Sequence, residues 1–417
     1  MNQRNRISIA NKHQCCGCEA CVQACPKQCI SFEEDAEGFC YPLVDRETCI
    51  DCGLCESVCP MQNQEAERKP LEVYAAKNRD EQELLCSSSG GLFILFAKAV
   101  LKEGGVVFGA KFDSEWNVVH GYAETEDDVR AFMGSKYVQS RIGNSYKEAR
   151  AFLKAGRKVL FTGTPCQIAA LKRFLRKDYD NLLTADVICH GVPSPKVWRM
   201  YLDEIKQNAR KGKNSVSSPL TRNVSERAAR MNGDVRITGI SFRDKRSGWK
   251  KYSFALTLAE ASADGKKNTV SLSHIFNEDP YMQLFLRNLI LRPSCYQCPA
   301  KNGKSQSDLT IADFWGIERC HPEFDDERGV GLMMVNSEKG KQAIQSLPLK
   351  LLEVTFEDAI ASNLSYITSA LEPPRRKLLF QKNIKSKKNI ELLAEFIFRA
   401  PLHVRIKIFI LNLLKKL

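Results

Sequence analysis

The strongest constraint on this chain is a cysteine run that occurs twice before residue 60. Cys15-x2-Cys18-x2-Cys21-x3-Cys25-Pro26 recurs as Cys49-x2-Cys52-x2-Cys55-x3-Cys59-Pro60. Three thiolates at successive spacings of three wrap one face of an iron–sulfur cubane. The fourth cannot reach the same cluster and ligates the other one, while the proline turns the chain away. The spacing therefore assigns Cys15, Cys18, Cys21 and Cys59 to one [4Fe–4S] cluster, and Cys49, Cys52, Cys55 and Cys25 to a second. Cys16, Cys29 and Cys40 are left over. A pair of zinc sites is the competing reading, but structural zinc uses two separated C-x2-C pairs rather than four closely spaced cysteines and a proline. The expectation for residues 1–62 is an α+β, ferredoxin-like domain that stores and relays single electrons without choosing a substrate.

Composition narrows the setting. The chain has 417 residues and 17 cysteines, and its start, MNQRNRISIANKHQC, lacks an apolar h-region. That combination points to metal ligation in a reducing cytosol rather than a disulfide scaffold. Residues 91–101 come nearest to an apolar run, but Lys98 interrupts them, well short of the roughly 18 residues a spanning helix needs. The net charge of +13 is concentrated in two places. Residues 375–417 hold 12 Lys/Arg against Glu391 and Glu395, and residues 205–230 hold 7 against Glu226. Residues 1–62 are acidic, with 9 acidic against 5 basic side chains, so a generally basic surface is excluded. No recognised nucleic-acid motif or aromatic interleaving accompanies the charge, and no nucleic-acid partner is expected.

A polar linker, Gln62 to Lys69, precedes an expected core over residues 71–345. Strands at 105–112, 158–163 and 182–189 alternate with helices at 92–103, 145–155, Pro165–Lys177 and from Pro195 onward, which implies a parallel α/β layer. Residues 235–258 alternate as strands and 281–290 read as a helix. The basic stretch 205–233 reads as an excursion from the core, and 346–417 as a basic helical tail. Within 396–417, Ile406, Phe409, Ile410, Leu413 and Leu417 share one helical face, opposite Arg405, Asn412 and Lys416. Such a helix docks on the protein's own core or a sister subunit, or lies on an anionic membrane surface.

Four later cysteines fall where metal ligands are useful. Cys166 follows Gly163-Thr164-Pro165 at the first turn of a helix, where the macrodipole favours a thiolate. Cys189 ends the next expected strand, and adjacent parallel strands bring their C-terminal ends together. Cys295 and Cys298 form C-x2-C. Spacing leaves two readings: one further [4Fe–4S] cluster, or a reactive Cys166, a buried Cys189 and a small zinc or orphan pair. Ser87-Ser88-Ser89-Gly90-Gly91 and Gly134-Ser135-Lys136-Tyr137 are small-residue turns before helices, which suit phosphate groups. Neither matches G-x-G-x-x-G or the P-loop.

Taken in order, SSSGG (87–91), GSKYVQS (134–140), GTPCQIAALK (163–172), VICHGVPS (187–194), FRDKRSGW (242–249), CYQC (295–298) and ADFWG (312–316) resemble the coenzyme F420 hydrogenase/dehydrogenase beta-subunit family over roughly residues 70–345. The resemblance implies an iron–sulfur flavoprotein with FAD in the α/β core. On it, Ser89, Gly90, Gly91, Gly134, Ser135, Lys136, Tyr137 and Thr164 become FAD-pocket residues, and Cys166, Cys189, Cys295 and Cys298 the ligands of a third [4Fe–4S] cluster. His190 and Lys136 are the proton-donor candidates, against a purely structural histidine. A flavin accepts a hydride and returns electrons singly, whereas clusters accept only single electrons. The expected function is therefore an oxidoreductase joining a hydride-carrying small molecule, such as coenzyme F420, to ferredoxin or another redox partner protein. Bacterial fusions of this kind resemble proteins of cell-surface polysaccharide assembly, so a reductase step there is one expectation. The alternative is a non-catalytic electron-relay subunit. The expected location is cytoplasmic or peripheral at the inner face of the membrane.

Overall fold

The computed structural model describes residues 7–211, 231, 235–261, 267–384 and 389–390. At the N-terminus, helix Ala20–Ala24 leads into a hairpin of β1 (Ile30–Glu34) and β2 (Cys40–Val44), and a short helix, Leu54–Ser57, follows. The two cysteine runs share one backbone device. Gly17 and Asp51 precede the second cysteine of each run, Glu19 and Gly53 follow it, and all four have positive φ between 51° and 73°. These left-handed residues turn successive cysteines toward one side, and two of them are non-glycine positions where that conformation carries strain.

Residues 64–70 form no regular element, as a linker should, but they are bonded to the core. Arg68 N donates to Asn302 O at 3.0 Å and Gln306 Nε2 to Ala66 O at 2.9 Å. The core is built on β3 (Glu72–Asn78), β4 (Val106–Phe112), β5 (Val118–Ala123), β6 (Val159–Gly163), β7 (Leu182–Val187), then β8 (Val235–Asp244), β9 (Ser253–Ala261), β10 (Lys267–Ile275), β11 (Leu309–Asp313), β12 (Gly331–Val335) and β13 (Leu349–Glu353). Eight of these make one sheet in the order β13-β3-β12-β11-β7-β6-β4-β5, and β10-β9-β8 make a smaller antiparallel one.

The large sheet is mixed rather than parallel throughout. Its centre, β4, β6, β7 and β11, is parallel, and antiparallel pairs flank it on both sides. The reason lies in the connections. Helices Ser145–Lys154 and Pro165–Leu175 provide crossovers into β6 and β7, whereas β4 turns into β5 through five residues, too few to return parallel. Three boundaries also move. β7 ends at Val187, so Cys189 lies two residues beyond the strand. Helix Pro280–Leu286 is shorter than the expected 281–290, because Asn288 at φ 63° closes it. β13, pairing with β3 through Leu349–Glu353, extends the core past residue 345 into the expected helical tail.

The excursion is also shorter than its composition suggested. Helix Pro195–Arg210 is capped by Ser194, whose hydroxyl accepts from Val197 N at 3.3 Å. Trp198, Tyr201, Leu202, Ile205 and Ala209 share its buried face, so residues 205–210 belong to the core. Residues 212–230 and the amphipathic segment 396–417 lie outside the described residues. Among the described residues, no helix is long and apolar enough to cross a membrane.

The N-terminal segment is docked on the sheet. Cys16, Cys18, Ala20 and Val58 belong to the same apolar cluster as Phe161, Ile168 and Phe174. Buried Glu19 accepts from Ile142 N at 3.0 Å and pairs with Arg141 Nε at 2.8 Å. Gln23 Oε1 accepts from Tyr146 N and Lys147 N, both at 3.1 Å, and so caps helix Ser145–Lys154 from another segment. Arg376 ties the C-terminal side in, donating to Glu37 Oε1 at 3.3 Å and Leu291 O at 3.0 Å. Replacing Gln23 by Ala strands two N–H donors and is expected to cost about 1–2 kcal/mol. Gln23→Glu, which keeps the acceptor and adds a favourable charge at a helix start, is expected to cost less. Denaturant unfolding of the two variants measures the difference.

Candidate functional site

Three thiol groupings and one large cavity make up the site. The first grouping is Cys15, Cys18, Cys21 and Cys59, which line one small apolar pocket together with Ile7, Ile9, Pro42 and Met61. The second is Cys25, Cys49, Cys52 and Cys55, which line another with Ile30, Val44 and Leu54. Each pocket thus takes three thiols from one run and one from the other, as the crossed reading of the spacing requires. Cys29 joins the second pocket, its sulfur 3.4 Å from Cys25 Sγ. Cys40 is separate, accepting from Arg141 Nη1 at 3.4 Å. Cys52 and Ile50 are exposed at this end, whereas the first pocket faces the core.

Cys166, Cys189, Cys295 and Cys298 also come together, each feeling the charge of others in the set. Their supports come from three elements. Thr164 Oγ1 lies 3.3 Å from Cys166 Sγ at the start of helix Pro165–Leu175. Val192 N donates to Cys295 Sγ at 3.4 Å, and Lys301 Nζ to Cys189 O at 2.7 Å. Burial first, and neighbouring thiols next, push the Cys189 thiol up to about 12 and Cys295 further up. Cys16, left over by the spacing, hydrogen-bonds with both Cys166 and Cys18. It therefore joins the core thiols to the first ferredoxin grouping. Among the described residues, no three His, Cys, Asp or Glu side chains stand close enough for a single metal ion.

The cavity, about 670 Å³, is lined by every residue of the two small-residue turns and by Thr164. Its size falls within the roughly 300–1,000 Å³ of ligand pockets. Cys189 and His190 stand on its wall, so the core thiols adjoin it. Gly91, at φ 74°, opens helix Leu92–Lys102. At Gly90 a Cβ would meet Ala76 O and Gly331 N, each at 2.4 Å, so only glycine lets this turn approach β3 and β12. Lys136 Nζ donates to Phe132 O at 3.3 Å and to Met133 O and Gly134 O at 3.0 Å. Burial lowers its pKa to about 7. His190 is held by Asn288 Oδ1 at 2.6 Å, and burial lowers its pKa too.

The motifs without an assigned role prove to be the cavity's frame. Arg243 forks onto Asp313 at 3.0 and 2.9 Å, Trp249 Nε1 joins the same carboxylate at 3.1 Å, and Arg243 also reaches Ser88 O at 3.4 Å. Lys245 Nζ donates to Leu84 O and Ser89 O at 2.8 and 2.9 Å, pinning the Ser-Gly turn. His120 was not singled out in the sequence. Its Nδ1 bonds Ser140 Oγ at 3.0 Å, Gln167 Nε2 donates to the same oxygen at 2.9 Å, and its Nε2 faces Thr162 O at 3.1 Å. Burial lowers its pKa to about 4, so it is neutral at pH 7. Its signal lay in its partners, since Ser140 and Gln167 close the GSKYVQS and GTPCQ motifs. Because the Gly90 site has backbone on two sides, Gly90→Ala is expected to destabilise the protein by about 1–3 kcal/mol and lower its melting temperature; Gly104→Ala, where nothing lies within 4 Å, is the comparison for the added methyl in open space.

Comparison with known proteins follows the same division. Residues 14–63 match the 4Fe-4S dicluster domain, and residues 156–355 match the family described as the C-terminal part of the coenzyme F420 hydrogenase/dehydrogenase beta subunit. The N-terminal segment is 38% identical over 64 residues to a 7Fe ferredoxin of Hydrogenibacillus schlegelii, covering 15% of this chain and 76% of that one. One of the subunits of the F(420)H(2) dehydrogenase of Methanosarcina mazei is 25% identical over 189 residues, covering 42% of this chain and 53% of that one. A chain of the F420-reducing [NiFe] hydrogenase complex from Methanosarcina barkeri superimposes with a TM-score of 0.42 at 16% identity, over 78% of this chain and 91% of that one. The chain spans about half the length of the archaeal relatives it matches over its core. By these matches the chain belongs to the coenzyme F420 hydrogenase/dehydrogenase beta-subunit family and carries a 4Fe-4S dicluster domain at residues 14–63.

Proposed function

We propose that this chain is an iron–sulfur flavoprotein oxidoreductase that exchanges electrons between a hydride-carrying small molecule at the cavity and one-electron carriers at the ferredoxin end. The observation that carries the reading is continuity. Cys189 stands on the cavity wall, Cys16 bonds Cys166 on one side and Cys18 on the other, and Cys21 and Cys59 both feel Cys55. A line of sulfur thus runs from the cavity to exposed Cys52 without a break in packing.

The donor sets suit iron–sulfur clusters. Cys15, Cys18, Cys21 and Cys59 would hold one [4Fe–4S] cluster, Cys25, Cys49, Cys52 and Cys55 a second, and Cys166, Cys189, Cys295 and Cys298 a third. Free thiols this buried resist ionisation, and coordination removes the proton outright. The cavity suits FAD. Ser89, Gly90 and Gly91 present a helix start and a close backbone approach, while Gly134, Ser135, Lys136, Tyr137 and Thr164 line the same space. When bound, the flavin supplies two-electron hydride chemistry and the clusters supply single-electron transfer. The chain's own part is to bind and to shield. Lys245 and Arg243 fix the Ser-Gly turn, neutral His120 orients Ser140 and Gln167, and Lys136 holds a proton at its Nζ beside the cavity.

A relay subunit without its own substrate would use the same sulfur line. Turnover of a dye acceptor by the purified chain, with reduced coenzyme F420, reduced nicotinamides or a sugar derivative as hydride source, supports an enzyme. Inertness until a partner protein is added supports a relay. After anaerobic purification and reconstitution, three clusters and one flavin predict about 12 iron atoms and one FAD per chain. About 8 iron atoms without flavin would remove the core site.

Lys136 gives a second prediction. An anionic cofactor beside it favours its charged form, so above pH 7 binding must take up a proton. FAD affinity, read by fluorescence titration, is expected to fall as pH rises from 7 to 9, by at most about tenfold per pH unit. Lys136→Met is expected to flatten that slope.

A further inference from the structure

Arg292 is buried, at 1% exposure, yet it lacks the partner a buried guanidinium usually has. Its Nε donates to Cys15 O at 2.7 Å, Nη1 to Gln139 Oε1 at 3.0 Å, and Nη2 to Cys40 O at 2.9 Å and Cys15 Sγ at 3.4 Å. Its carbon lies 4.4 Å from the Tyr41 ring centre and 5.4 Å from that of Phe39. No carboxylate appears among these partners. Nearby Glu19 is committed to Arg141, and Glu37 to Arg376. The groups around Arg292 able to carry negative charge are thiols from two sites: Cys15 and Cys16 on one side, Cys166 and Cys295 on the other, with Tyr41. The backbone makes room for it. At Gly17, with φ 73°, a Cβ would lie 2.7 Å from Arg292 Nη1, so the Cys16-Gly17-Cys18 turn is wrapped around the guanidinium.

A cation buried among thiols is costly unless they are anionic. A cluster with four thiolate ligands is anionic and gains another negative charge on reduction. A fixed positive charge at its edge favours the reduced form, as do hydrogen bonds to its sulfurs. The second ferredoxin pocket, with Cys25, Cys49, Cys52 and Cys55, has no arginine or histidine among its lining residues, and its Lys27 is exposed. We infer that Arg292 is a positioning residue that supplies fixed charge at the junction of ferredoxin and core, raising the reduction potential of the cluster held by Cys15, Cys18, Cys21 and Cys59 relative to that held by Cys25, Cys49, Cys52 and Cys55; this rests on the cluster assignment proposed above. The junction thereby becomes the favoured resting place for an electron between the cavity and the exposed end.

The test is a potentiometric titration of the full reconstituted chain, followed by electron paramagnetic resonance, with the second cluster as internal reference. Arg292→Gln is expected to move the first cluster's midpoint to a more negative value, by about tenfold in its reduction equilibrium, or about 59 mV for one electron, and to leave the second in place. Arg292→Lys, which keeps the charge, is expected to stay near the wild type. A full iron content in Arg292→Gln with both midpoints unchanged would overturn the inference, as would equal movement of both. If Arg292→Gln loses iron, Arg292→Lys decides. Retained iron and an unchanged midpoint gap support a charge role. Loss of iron equal to that of Arg292→Gln, or a collapsed gap, means that the hydrogen-bonding fork rather than its charge matters. Wild-type chain that takes up no iron or sulfide would instead overturn the cluster assignment, independently of Arg292.

Discussion

Buried sulfur imposes the main constraint on this molecule. Eight of its cysteines are buried, and four more from the core are partly buried beside them. Thiols desolvated in groups resist ionisation and repel each other once charged, so each group needs either protons or a positively charged occupant. Much of the surrounding architecture serves that need. The left-handed residues between the cysteines aim the thiols at common pockets, the mixed sheet brings Cys166 beside Cys189, and the irregular stretch around residues 293–298 closes over them. Arg292 sits where two of the groups meet, which is the place where uncompensated charge would be most costly.

The dock between the N-terminal segment and the sheet follows from the same constraint. An electron relay works only when its sites stay close, and a tethered ferredoxin would sample many positions. Here Cys16 and Cys18 are part of the core's own apolar cluster, and Gln23 and Glu19 satisfy backbone donors that belong to the core. Those donors have no other partner of their own segment, so separating the two parts would expose polar backbone and apolar surface together. The stretch from residue 64 to 70 is thus a strap laid along residues 302–306 rather than a hinge.

Legibility in the sequence varied with the range of the interaction. The crossed pairing of the two cysteine runs could be read because it depends on spacings of three residues and a repeat 34 positions later. Helix starts were legible for the same reason, as at Pro165 and Ser194-Pro195. Elements set by distant partners were not. β13 is five residues with a mostly exposed pattern, and only pairing with β3 makes it a strand. Residues 205–210 were hidden by their lysine and arginine content, although Ile205 and Ala209 continue the buried face begun at Trp198. His120 carried no local signal, since its role depends on Ser140 and Gln167 arriving from other elements.

By itself the sequence determined the chemistry available: two sets of four thiols in crossed registers, a third set scattered over 133 residues, and small-residue turns shaped for phosphate. Those are properties of residue type and short spacing, which local backbone geometry converts directly into direction. Tertiary structure alone decided adjacency. It placed Cys16 between two thiol groups, set Cys189 on the cavity wall, and buried Arg292 among sulfurs without a carboxylate. The physical reason is that such contacts join segments up to 277 residues apart, and their geometry exists only once the sheet has ordered the elements that carry them.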